Sequence, residues 1–154
     1  MHRLIERKTF RKILLPIYES RTSNDRIVDY AIKIAQDYDA ELVILNIIRA
    51  DANLHNVNVP NYIIGMKEQA QSNFIKITEK IHEDNSNKEN VLRIKTEIVA
   101  SIRVADAIIS YAKDKDIDLI IIEPRTSSKL KGVLLGNTES DVVRFAHCPV
   151  LTVK

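Results

Sequence analysis

Four histidines, one cysteine and a loop of hydroxyls and cations are the residues through which this 154-residue sequence could do chemistry. His2, His55, His82 and His147 fall in four separate stretches, with no metal-ligand spacing among them, so no metal site is expected. His147 stands directly before Cys148, but neither has a triad partner in view, and both read as structural. Ser20, Ser127 and Ser128 offer hydroxyls of the kind that turns commonly carry. Arg125, Lys129 and Lys131 could draw an anion, although Glu123 would partly neutralise them. The stretch GVLLGN lacks the Gly-Lys-Ser/Thr ending of a phosphate loop. No catalytic constellation emerges, and binding or regulation is expected ahead of catalysis.

Bulk composition narrows the class further. Hydrophobic residues make up 45% of the chain and charged residues 29%, as in soluble globular proteins. A net charge of +2 gives no support to nucleic-acid binding. Arg3, Arg7, Lys8, Arg11 and Lys12 crowd the N-terminus, where residues 1–10 read as a basic, solvated extension leading into the first strand. The single cysteine excludes an internal disulfide and fits a reducing cytoplasm. No apolar run approaches the ~20 residues needed to span a bilayer, and ILLPI is too short for a signal-peptide core. A cytoplasmic protein without membrane contact is expected.

The elements that must position any site follow from periodicity. Residues 12–18 (KILLPIY) predict a strand, and Thr22 or Ser23 can cap a helix with Ile27, Ala31, Ile34, Ala35 and Tyr38 on its apolar face. Residues 41–48 (ELVILNII) predict an interior strand, apolar on both faces. After an Asn-rich stretch, a longer helix aligns Ile63, Met66, Ala70, Phe74, Ile77 and Ile81. Residues 91–99 alternate, with Leu92, Ile94, Thr96 and Ile98 facing inward and Arg93, Lys95 and Glu97 outward, as an edge strand would. A third helix buries Val104, Ala105, Ile108 and Ala112, and 118–123 (DLIIIE) is another interior strand. A helix over 138–146 buries Val142, Phe145 and Ala146 before VLTV closes the chain. Strict βα alternation with right-handed crossovers implies one α/β domain over 11–154 with helices on both faces of an open parallel sheet. Pro16 is the one local conflict, since proline suits an interior strand poorly.

Several segments, taken in order, resemble the universal stress protein family. KILLPIYES is similar to that family's opening strand, IVASIRVADAIISYAKDKDIDLIIIE to its middle, and HCPVLTV to its closing strand. The resemblance covers 11–154 and implies a five-stranded sheet of order 3-2-1-4-5, a Rossmann-like, adenine nucleotide alpha hydrolase-like architecture. It also implies a homodimer along the last strand, involving Val150, Leu151 and Val153. In nucleotide-binding members a loop patterned G-x2-G-x9-G-[ST] follows the fourth strand. Its four positions are Glu123, Thr126, Gly136 and Asn137 here, and the family's nucleoside-binding aspartate is replaced by Tyr18. Ser101 stands where the family often has glycine.

Ligands of open α/β sheets bind beyond the strands' C-terminal ends, where strand order reverses. Tyr18 and Glu123 are therefore expected at one crevice mouth. Tyr18 puts a bulky phenol in place of a compact acceptor. Glu123 adds an anion where phosphates would sit, and two unit charges ~4 Å apart repel by about 4 kcal/mol at an effective dielectric of ~20. Pro124 removes an amide donor, and Thr126 puts a β-branched side chain where bare backbone is needed. Gly136 is kept, and Asn137 can still cap the last helix. The leading expectation is a dimeric stress-response module that has lost ATP binding, needs no cofactor and acts through a protein partner. The alternative is an ATP- or AMP-binding sensor, or a weak hydrolase, using a remodelled crevice.

Overall fold

Leu42–Leu45, Ile47 and Ile48 leave the strand predicted over 41–48 with no face that water could tolerate, so it demands cover on both sides. In the computed structural model, which describes residues 9–18, 25–50, 59–84, 91–124 and 138–154, it receives that cover. The elements run β1 (Lys12–Tyr18), α1 (Asp25–Tyr38), β2 (Glu41–Arg49), α2 (Val59–Asp84), β3 (Ile94–Ser101), α3 (Val104–Asp114), β4 (Leu119–Ile122), α4 (Thr138–Phe145) and β5 (Val150–Thr152). The strands form one parallel sheet of order β3-β2-β1-β4-β5. The expected order and class are therefore observed. Residues 1–8 of the proposed extension lie outside the described residues.

Alternation along the strands sorts the core into two layers. Ile13, Leu15, Leu42, Ile44, Leu119 and Ile121 pack on the α1 and α2 side with Ile27, Ala31, Ile77 and Ile81. Leu14, Val43, Leu45, Ile47, Ile120 and Ile122 pack on the α3 and α4 side with Val104, Ile108 and Val142. Each fully buried Ile or Leu contributes about 1.5–3 kcal/mol of apolar transfer. Both α1 and α3 end in the same turn. Asp39 and Asp116 take positive φ (50° and 54°), while Ala40 N–H donates to Ala35 O and Ile117 N–H to Ala112 O. This is the Schellman closure, with aspartate where glycine is the usual choice.

Some expected burial is not realised. Tyr38 is 40% exposed, its ring meeting Phe10 edge-on, and Val28 and Ile32 fill the α1 interface instead. Phe145 is 60% exposed, with the Arg144 guanidinium 5.3 Å from its ring centroid. On β3 the alternation of faces holds but the expected burial does not. Glu97 is half-buried because α3 crosses its face, where it accepts a hydrogen bond from Tyr111, while Ile98 is 36% exposed because α2 leaves the end of β3 bare.

Candidate functional site: the crevice between β1 and β4

β1 and β2 stay paired along the whole of β1, from Lys12↔Glu41 to Tyr18↔Ile47. β1 and β4 pair only at Ile13↔Leu119 and Leu14↔Ile120. Beyond Leu14 the two central strands part, and the gap lies at their C-terminal ends, where the strand order reverses. Pro16 accounts for the place of the split. Arg11 O accepts from Glu41 N–H on the β2 side, and Lys12 O accepts from Asp118 N–H on the β4 side. Alternation turns Leu14 and Pro16 toward β4 as well. The proline's missing donor thus falls where the β1–β4 ladder has already ended, and the β1–β2 ladder loses nothing. The conflict read from the sequence is resolved by geometry.

The closed end of the same strand pair is held by Asp118. Its Oδ2 accepts the backbone N–H of Arg11 at 2.7 Å and of Lys12 at 2.9 Å. One carboxylate thereby ties the start of β1 to the start of β4, below the crevice. The sequence pattern marked it only as the first residue of the strand predicted over 118–123 and gave it no role.

Tyr18 is the last residue of β1, partly buried, and packs against the α3-side core. Glu123 follows the last residue of β4 directly and is also partly buried. Thr126, Gly136 and Asn137 lie outside the described residues, as do Arg125, Lys129, Lys131, Ser20, Ser127 and Ser128. At the same end of the sheet, Ser101 Oγ donates to Arg103 O at 2.8 Å and shapes the turn into α3. Arg103 then reaches Asp106 on its own helix and Asp141 on α4, each at 3.6 Å. With Arg103 66% exposed, such pairs are worth at most about 1 kcal/mol each, so they orient more than they stabilise.

This group was not legible in the sequence because Asp141 stands 35 or more positions from its other members. Glu139 and Asp141 both occupy the first turn of α4. They set carboxylates at the end of the helix whose dipole would otherwise favour an incoming anion.

The other reactive candidates have quiet surroundings. Burial, and then the Asp118 carboxylate, push the Cys148 thiol upward, so it stays protonated near neutral pH. His147 and His82 are exposed, whereas His2 and His55 lie outside the described residues. Among the described residues no cluster of His, Cys, Asp or Glu could hold a metal ion, and no helix is long and apolar enough to cross a membrane. Of the residues expected at a dimer contact, Val153 is only 7% exposed and belongs to the protomer's own core. Val150 and Leu151 are half-buried on opposite faces of β5.

A doubly wound parallel sheet that splits between its first and fourth strands defines a switch-point binding fold. Comparison with known proteins makes the class specific. The model of the universal stress protein family matches residues 9–154, and the chain belongs to that family. It is 30% identical over 151 residues to the universal stress protein YxiE of Bacillus subtilis, covering 94% of this chain and 99% of that one. The structure of the universal stress protein UspA from Lactobacillus plantarum superposes with a TM-score of 0.67 at 24% identity, over 94% of this chain and 98% of that one. A universal stress protein solved in complex with cAMP gives a TM-score of 0.63 at 22% identity, covering 94% and 96%.

Proposed function

We propose that this chain is a stress-response module that works as a cytoplasmic dimer through a protein partner and has lost the ATP binding that the family resemblance implies. The observation that carries the reading is Tyr18 at the end of β1, with its ring packed toward the α3-side core. A phenol held there offers no compact acceptor for a nucleoside and fills part of the space one would need. Glu123, which follows β4 directly, and Glu139 on the first turn of α4 would oppose phosphates at the crevice mouth, while the charge of Asp141 is partly met by Arg103. Neither a cofactor nor catalysis is part of the proposal; of the family's site positions Tyr18, Glu123 and Thr126 are degenerate, while Gly136 and Asn137 are kept as scaffold.

The test is thermal melting with and without MgATP, AMP and cAMP, the last because one structural relative carries it. Ligand at 100 times its Kd stabilises a protein by about 2.7 kcal/mol, which at this chain length is several degrees of midpoint. No shift is expected with any of the three at millimolar concentration. A saturable shift corresponding to micromolar affinity for ATP would overturn the proposal. A shift with AMP or cAMP alone would instead support the remodelled-crevice sensor.

A further inference from the structure

β3 ends the sheet opposite β5, and among the described residues β2 is the only strand bonded to it. It is an eight-residue edge, longer than three-residue β5. Apolar residues gather beside it. Ile98 is 36% exposed on the α2-side face of β3, and Val91, just before the strand, is 87% exposed. On α2, Lys80 reaches Asp29 and so fixes which flank looks toward α1. At 100° per residue the side of α2 away from Lys80 carries Ile64 and Ile75, which are 53% and 55% exposed. A long edge, with Ile98 and Val91 exposed along it, is thus covered by no element among the described residues.

The strand itself names the occupant. Leu42 N–H donates to Arg93 O, and Ala50 N–H to Ser101 O, so odd-numbered residues of β3 turn their backbone groups to β2. Ile94, Thr96 and Ile98 therefore turn theirs to the open edge. An antiparallel copy related by a two-fold axis at Thr96 would form hydrogen-bonded pairs Thr96–Thr96 and Ile94–Ile98, with Ile94 and Ile98 in cross-strand contact. In the same register Lys95 of each copy falls opposite Glu97 of the other, in a non-hydrogen-bonded pair where side chains approach closest. Lys95 and Glu97 already bond within one chain at 2.9 Å, so pairing would close a ring of alternating charges. The same lysine repels an edge that lacks the matching glutamate, which gives selectivity.

We infer that the β3 edge is an interface for a second copy of this chain, paired antiparallel about Thr96. It is separate from any contact along β5, and an assembly using both edges would exceed a dimer.

The test uses Leu151→Arg as background to remove association through β5. Lys95→Glu gives a chain whose two edge charges are both negative, and Glu97→Lys gives one whose charges are both positive. Each alone should sediment as monomer, weakened by roughly tenfold or more. An equal mixture should form a one-to-one dimer, because every cross-strand pair is then complementary. If the mixture and the separate variants sediment alike, whether all monomeric or all dimeric, the inference fails. Should either variant not fold by circular dichroism, Ile98→Lys in the same background serves instead. Loss of the dimer is expected there, and an unchanged dimer overturns the interface.

Discussion

Replacing Asp118 by alanine removes the clamp that joins the first and fourth strands below the crevice. The carboxylate accepts two backbone donors, from Arg11 at 2.7 Å and from Lys12 at 2.9 Å. A hydrogen bond to a charged group is worth about 1.5–3 kcal/mol when well shielded. The Arg11 bond is exposed and the Lys12 bond only part-buried, so each is discounted to about 1 kcal/mol, because water can take over the freed amides. The sum, about 2 kcal/mol, corresponds to a fall of about 4–8 °C in melting midpoint for a chain of this length. Asp118→Asn retains one neutral acceptor and should lose about half as much. Differential scanning calorimetry on the parent and both variants provides the measurement. A midpoint for Asp118→Ala within ~1 °C of the parent would refute the clamp, as would equal losses for the alanine and asparagine variants.

Other consequences can be measured on the same footing. Gly65 lies inside α2 with nothing within 4 Å of where a Cβ would stand, so Gly65→Ala should raise stability by about 1 kcal/mol; a lowered midpoint would show that the glycine has another role. Burial, and then its hydrogen bond to Glu97, raise the Tyr111 phenol above its ordinary value of 10.0. A raised acid adds stability that is complete below the unfolded value and is lost as pH climbs past it, so the midpoint should fall above pH 10 more steeply in the parent than in Tyr111→Phe. The lowered Glu97 carboxyl, held down chiefly by its bond to Lys95, acts in the opposite sense: its contribution fades as pH falls below 4.5, and Glu97→Gln should flatten that acid limb. The combined change Tyr18→Asp, Glu123→Gly and Thr126→Gly should create measurable ATP affinity by calorimetry, and continued absence of binding would implicate Pro124 or Ser101 as further obstacles. Leu151→Arg should reduce association along β5, and an unaltered sedimentation coefficient would count against that edge.

Several of the structure's decisive contacts were invisible as pattern. Asp118, Arg103 and Asp141 are ordinary charged residues until parallel pairing brings β4 beside β1 and packing brings α4 beside α3. Pro16 looked like a defect because sequence does not say toward which neighbour a strand residue turns its N–H. Tyr18 and Glu123, in contrast, were legible at once. They end two apolar runs whose places in the strand order follow from the resemblance, and that order fixes where the crevice opens.

By itself the sequence determined the alternating elements, the two-sided burial of β2 and β4 and the ends of the strands, while the order of the sheet was implied by the family resemblance. The elements and their burial follow from periodicity, which is a property of the chain. Only tertiary structure decided which apolar residues are covered. Phe145 and Ile98 point as their periods require, yet no element among the described residues fully covers them, while Glu97 is half-buried because α3 crosses its face. A period states the direction of a side chain. Whether another element arrives to meet it depends on the lengths and crossings of helices packed across the sheet, and that decision belongs to the whole fold.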